Sequence, residues 1–392
     1  MRKTISPAYT FDFWWARAVQ LNPINALTNG DSGFTTALIL LIIFAMSFLM
    51  NFTDIPQRIQ LMRWSRNIRA RLYQLEQMIF SAKNKASEFF RSMGLNNPRG
   101  IIDGFLNNFF VIEPVSIEPT DIIKRLDHLI RSRDTMVKKY VEEVMSDKGK
   151  VERENATVVL EIVRLLHMVY KIIKHYYLTA LKHNNWVLMM QLALSMPQIM
   201  RELEAVHKAL DAFSTGKPVG DSAGALVAAK LIGQATRREI AEDTVMAEVM
   251  FDGRKLVVIK AEGPGATVGK PGEAIEKLVE RLGYRPSRII TVDAALKLEG
   301  EESGEIAFGS GAAIGDPGPE KIRIERVATK CGAALDAVVI KMSIEEAINE
   351  MTKEIAEGCM KALETIKKII KERTKPSDTV VVIGVGNSVG VF

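Results

Sequence analysis

Residues 379–390 read TVVVIGVGNSVG. Val380, Val381, Val382 and Ile383 form an unbroken β-branched run that ends in Gly-Val-Gly-Asn. A short run of this kind, closed by glycines, is the pattern of a strand buried on both faces that delivers a loop at its end. The same punctuation recurs upstream. Strands are expected at 245–251 and 254–261, flanking Asp252-Gly253, a two-residue hairpin signal. Further strands are expected at 288–293, 304–308 and 337–342, with helices at 223–232, 272–282, 319–331 and from 344 to about 373. Strands alternating with helices predict a three-layer α/β domain with a largely parallel sheet over residues 216–392.

Four glycine-rich loops stand at the junctions of these elements. One is Gly220-Asp221-Ser222-Ala223-Gly224. The second, 262–272, carries Gly263, Gly265 and Gly269; the third, 309–316, carries Gly309, Gly311 and Gly315; the fourth carries Gly386 and Asn387. In an open α/β sheet such loops gather at the carboxyl ends of strands, where ligands bind. Their backbone N–H groups could hold an anion or a carbonyl oxygen. No Gly-Lys-Ser/Thr follows any of them, which excludes a P-loop, and none is a full dinucleotide fingerprint. The motifs therefore identify no cofactor and no metal.

These elements resemble the hydrogenase-maturation peptidase and germination-protease group, which shares a phosphorylase/hydrolase-like α/β fold. Residues 380–387 (VVVIGVGN) are similar to its strand–Gly-x-Gly-Asn element. Asp221–Gly224, followed by ALVAAKL, resembles its Asp-x-x-Gly helix opening. Residues 289–294 (IITVDA) resemble its strand–Asp-Ala, and 309–315 its Gly-Ser-Gly loop. The strand that comes first in that group comes last here, so the resemblance implies a circular permutation. It also implies that Asp221 and Asp293 occupy the acidic metal-binding positions. The histidine expected beside them is missing, because no histidine follows His207. Taken whole, the chain resembles a family of archaeal membrane-anchored proteins, domain of unknown function 1512. That resemblance implies location and architecture and no activity.

The N-terminal part reads differently. Residues 34–52, FTTALILLIIFAMSFLMNF, are uncharged, and as a helix would rise about 28 Å, close to a bilayer's hydrocarbon thickness. A single transmembrane helix is expected there, after an extracytoplasmic leader (1–33) with Phe11, Phe13, Trp14 and Trp15. Arg58, Arg63, Arg66, Arg69 and Arg71 follow at once. The positive-inside rule then places the C-terminal side in the cytoplasm, with the N-terminus outside a cell membrane. These arginines would meet anionic lipid head groups of the bilayer.

Residues 53–215 are expected to form a basic helical stalk and a helical domain. Leu61, Ile68, Leu75, Ala82 and Phe89 recur in a heptad with Leu72, Ile79, Ala86 and Met93. That stripe fits either a homodimer through the 61–93 helix or packing within the chain. Helical patterns continue at about 120–145, 152–183 and 186–213. His167, His175 and His183 drift around the second of these by about 80° per step and cannot share one metal. Cys331 and Cys359 lack metal-ligand spacing and suit a reducing compartment. Eight Lys/Arg against three acids between positions 51 and 91 equal the whole chain's net charge of +5. The remainder is neutral, which argues against nucleic-acid binding.

The reading favoured by these residues is a membrane-anchored, cytoplasm-facing protein that binds a ligand or partner through the glycine loops. One alternative is a membrane-surface hydrolase using Asp221 and Asp293. Another is an assembly factor recruiting ribosomes or a translocon through the basic helix. The missing histidine leans the reading away from an enzyme.

Overall fold

The computed structural model of the chain describes residues 30–52, 55–108, 122–315 and 318–392. Positions 1–29 of the expected leader, with Phe11, Phe13, Trp14 and Trp15, lie outside the described residues, as does Asp316 in the third glycine loop.

Helix α1 (Gly30–Phe52) contains the apolar run. The transmembrane expectation is nevertheless corrected: among the described residues no helix is long and apolar enough to cross a membrane. α1 opens on the polar turn Gly30-Asp31-Ser32-Gly33. The single-pass cell-membrane location and its orientation fall with the span. The apolar side chains of α1, Phe34, Leu41 and Phe44 among them, are exposed.

Helix α2 (Ile55–Ser92) carries the heptad. Leu61, Ile68, Leu72, Leu75, Ile79, Ala82, Ala86 and Phe89 are all buried. The face on which a homodimer would rest is covered by the chain's own α5 (Lys150–Lys182) and α6 (Trp186–Thr215). Helices α3 (Pro98–Asn108) and α4 (Ile122–Val144) complete the bundle. Its interior is filled by α5 residues Val159, Val163 and Leu166 and by Met189, Met196 and Met200 of α6, so the methionines are core rather than an open groove. Arg58, Arg63, Arg66 and Arg69 project from the outer face of α2, and Arg71 is half-buried beside Gln74. Tyr177 of α5 meets Arg69 Nε at 3.3 Å and Ser65 Oγ at 3.1 Å. His175 and His183 are exposed and His167 is half-buried.

After Gly216, in the left-handed conformation that ends α6, the chain changes class. A seven-stranded sheet has the order β1-β2-β3-β7-β4-β6-β5. Its strands are β1 (Arg237–Ala241), β2 (Thr244–Phe251), β3 (Arg254–Ala261), β4 (Arg288–Leu296), β5 (Ile306–Ser310), β6 (Ala334–Met342) and β7 (Thr379–Gly384). The central strands β3, β7, β4 and β6 are parallel, while β1, β2 and β5 add antiparallel edges. The sheet is therefore mixed rather than largely parallel. Short hairpin connections, including Asp252-Gly253 with φ of 49° and 73°, force β1, β2 and β3 to alternate in direction, whereas β5 reaches its antiparallel place on β6 through the long connection 311–333.

Helices α7 (Ala223–Ile232) and α11 (Lys353–Arg373) cover one face, burying Val258, Val292, Val338 and Val382. Helices α8 (Pro271–Glu280) and α9 (Pro319–Cys331) cover the other, over Val257, Ile259, Ile289, Val381 and Ile383. β7 lies at the centre, buried on both faces, as its uninterrupted β-branched run requires. The expected helix from 344 is broken into α10 (Ile344–Ile348) and α11. Between them the backbone is extended, and Gly220 N–H donates to Asn349 O at 3.0 Å while Met351 N–H donates to Pro218 O at 2.8 Å.

Candidate functional site

The central strands bring two of the four glycine loops, and the end of a third, to one place. β7 and β4 are parallel neighbours, and the ladder continues past their ends with Val385 N–H donating to Val292 O at 2.8 Å. Asp293 is the next residue of β4. Its side chain points to the α8/α9 face, where Oδ1 accepts from Ala294 N–H at 2.7 Å and Oδ2 from Gly315 N–H at 3.1 Å. Gly315 reaches it because the loop after β5 runs back along β4, held by Ala313 N–H on Thr291 Oγ1 at 2.7 Å.

Asp221 approaches from the other side. It lies in the single 3₁₀ turn Gly220–Ser222 that leads into α7, and its Oδ2 accepts from Asn387 N–H at 2.9 Å. Two glycines permit this. A Cβ on Gly224 would collide with the carbonyl oxygens of Val385 and Val292. Gly386 has φ +111°, and a Cβ there would strike the Asp221 carbonyl.

The two aspartates sense each other. Burial, and then the neighbouring Asp221 carboxylate, push Asp293 up to about 8 against the two N–H groups that favour its charge. Burial also raises Asp221, opposed by the Asn387 N–H. Although Asp221 keeps some solvent-accessible surface, the atoms crowded around it dominate its titration. Among the described residues neither carboxylate is ion-paired with a lysine or arginine, so the pair retains a proton near neutral pH.

Asp221, Asp293, Gly224, Gly315, Gly386 and Asn387 thus share one site. The other glycines do not. Gly309 pairs with Ala337 on the edge strand, and Gly311 N–H donates to Leu335 O, about 13 Å before the level of Asp293 along the sheet. Gly263 packs on Val391, Gly265 under Glu154 of α5, and Gly269 against Asp243 and Thr244. The five arginines are on α2, in the helical bundle.

Sequence reading missed two residues that hold these loops in place. Ser388, fully buried, sets its Oγ within 2.7, 2.9 and 3.0 Å of the carbonyl oxygens of Glu262, Gly265 and Thr267. Asn155 of α5 accepts from Ala266 N–H at 3.1 Å. The only sequence signal for Asn155 is a polar residue on the buried stripe of an amphipathic helix.

The metal that the peptidase resemblance implies does not fit these residues. Among the described residues no group of three His, Cys, Asp or Glu side chains could hold an ion. Asp221 and Asp293 alone supply two ligands where three are usual.

Comparison with known families matches the chain in two segments. Residues 42–216 match the N-terminal domain model of a protein of unknown function, DUF1512, and residues 219–392 match the DUF1512 C-terminal domain model. No curated protein matches the chain.

Proposed function

The chain belongs to the DUF1512 family, and we propose that its α/β domain binds a small polar ligand at the ends of β4 and β7, with Asp221 and Asp293 as the polar centre. The observation that carries this reading is a pair of carboxylates without a countercharge, at the carboxyl ends of adjacent parallel strands, with Asp293 held up to about 8. Such a pair offers one donor and several acceptors at the ends of neighbouring strands, which suits a hydroxyl, carbonyl or amine group. The position agrees with the general preference for ligands at strand carboxyl ends in open α/β sheets.

Ligand retention tests it. The full chain is dialysed against a defined mixture of polyols, amines and hydroxy acids, and the retained compounds are identified by mass spectrometry. At least one compound is expected to be retained by the parent chain and lost from both Asp221→Ala and Asp293→Ala. If every compound retained by the parent is retained equally by both variants, the reading fails.

The same protonated pair supports a second reading, hydrolysis with Asp293 as general acid and Asp221 as its carboxylate partner. The resemblance to the maturation peptidases favours it, and the missing histidine removes a metal from that scheme. Turnover of a peptide or ester substrate that falls as pH rises through about 8 and vanishes in Asp293→Asn is the expected signature. A rate unchanged in Asp293→Asn would refute it.

A further inference from the structure

A cavity lies where the helical bundle meets the α/β domain, beside the 262–272 loop. It measures about 220 Å³ and adjoins another of about 150 Å³. Lys138 of α4, Thr157 of α5, Asp243 and Thr267 line both.

Most charges in its wall are matched. Lys138 Nζ donates to Glu242 at 2.5 Å and Asp243 at 2.8 Å, and Lys150 Nζ to Asp243 at 2.7 Å and Glu262 at 2.6 Å. Three charged groups of the larger cavity are left over: Glu142, which is exposed, and two that are more enclosed. The Arg153 guanidinium is half-buried and has no hydrogen-bond or ion-pair partner among the described residues. Glu154 Oε1 is buried and accepts no hydrogen bond. Lys150 Nζ stands 3.9 Å from it, beyond hydrogen-bond reach, held away by Asp243 and Glu262.

A buried carboxylate oxygen without a donor is rare in a folded protein and marks a place for an additional group. Burial, and then the Asp243 carboxylate, raise Glu154 to about 7. An added ammonium would reverse that shift and complete the oxygen's hydrogen bonding. An anionic group on the same molecule would satisfy Arg153, whose fork matches a carboxylate.

We propose that this cleft is a binding site for a small zwitterion of the amino-acid class, its ammonium on Glu154 Oε1 and its acidic group on Arg153. The site is independent of the Asp221–Asp293 reading, which it neither uses nor requires. The 262–272 loop that forms part of the cleft is pinned on its other side by Ser388, next to Asn387.

Isothermal titration of the full chain at pH 8, where Glu154 is ionised, tests the assignment. The probes are L-alanine and γ-aminobutyrate, with ethylamine and propionate as single-charge controls. Saturable binding of at least one zwitterion is expected, with either control at least about tenfold weaker, the factor that 1.4 kcal/mol represents. Arg153→Gln and Glu154→Gln are each expected to weaken it by about tenfold or more. Asp293→Asn is expected to leave it unchanged. Arg153 is only half-buried, so its variant keeps the test informative if Glu154→Gln disturbs folding. Heat from neither zwitterion up to about 10 mM, a concentration at which a 1 mM site would be filled, overturns the proposal and leaves the cleft to water. So does binding that survives both cleft substitutions, or binding abolished by Asp293→Asn alone.

Discussion

Asp293 departs far from its behaviour in water, and its titration has a readable sign. Its folded value, about 8, lies above its ordinary 3.8, so the folded state holds the proton more tightly than the unfolded chain does. Stability should therefore fall as pH rises from about 4 to about 8. Asp293→Asn removes the ionisable group but keeps only one of two acceptors. Thermal melts should show a loss of about 1–2 kcal/mol at pH 6 and a flatter profile between pH 6 and 9. A variant profile as steep as the parent's would show that another group carries the dependence. Ser388 gives a second prediction at this scale. Its hydroxyl stands among three carbonyl oxygens in a site with no solvent access. Ser388→Ala should cost about 1–3 kcal/mol in urea unfolding, the usual penalty for orphaned buried polar groups. Asp221 could be singled out in the sequence because an acidic residue inside a glycine turn is an unusual juxtaposition, and Asp293 only through the resemblance of its strand–Asp-Ala element. Ser388 could not, because a serine in a glycine loop is ordinary until its three partners, over 120 positions away, are known.

At the scale of elements, close approach governs α7. The Gly224 backbone sits against the carbonyls of Val385 and Val292, which belong to two different strands. Gly224→Ala should cost about 3 kcal/mol, toward the upper end for overpacking. It should also displace Asp221, so loss of ligand retention should accompany the lowered stability. Wild-type stability in that variant would show that the helix can retreat freely. Helices α7 and α9 and strand β3 were readable to their ends and β2 to within one residue, because caps, prolines and the Asp-Gly turn mark them locally. β1 was missed: Arg237-Arg238-Glu239 has no apolar alternation and is extended only because β2 offers it an edge. The break at 349–352 was missed for a related reason. Helix propensity continues through it, but pairing with 218–220 draws that backbone into an extended path.

At the scale of the molecule, the two halves meet through specific polar contacts as well as packing. Val219 and Val389 of the α/β domain are buried in the core of the helical bundle, and Asn155 of α5 holds the 262–272 loop by its bond from Ala266 N–H, with Glu154 packed over Gly265. Asn155→Leu keeps the γ-branched shape but strands the Ala266 N–H, at about 1–2 kcal/mol. Limited proteolysis within 262–272 should then run about tenfold faster, and unchanged cleavage would show that the loop is held elsewhere. The sequence by itself determined the helical and α/β halves, the change of class near Gly216 and the buried central strand at 379–384. Those features follow from periodicity and turn chemistry, which act over a few residues. Only the tertiary structure decided that the α2 stripe packs inside its own chain, that the sheet is mixed, and that α1 does not qualify as a span. It also decided which glycine loops meet. Asp221, Asp293 and Asn387 lie 72 to 166 positions apart, and no local rule carries a distance between them. Strand order does: β7, last in sequence, inserts between β3 and β4, and that insertion brings the Gly386 loop onto Asp221 beside Asp293.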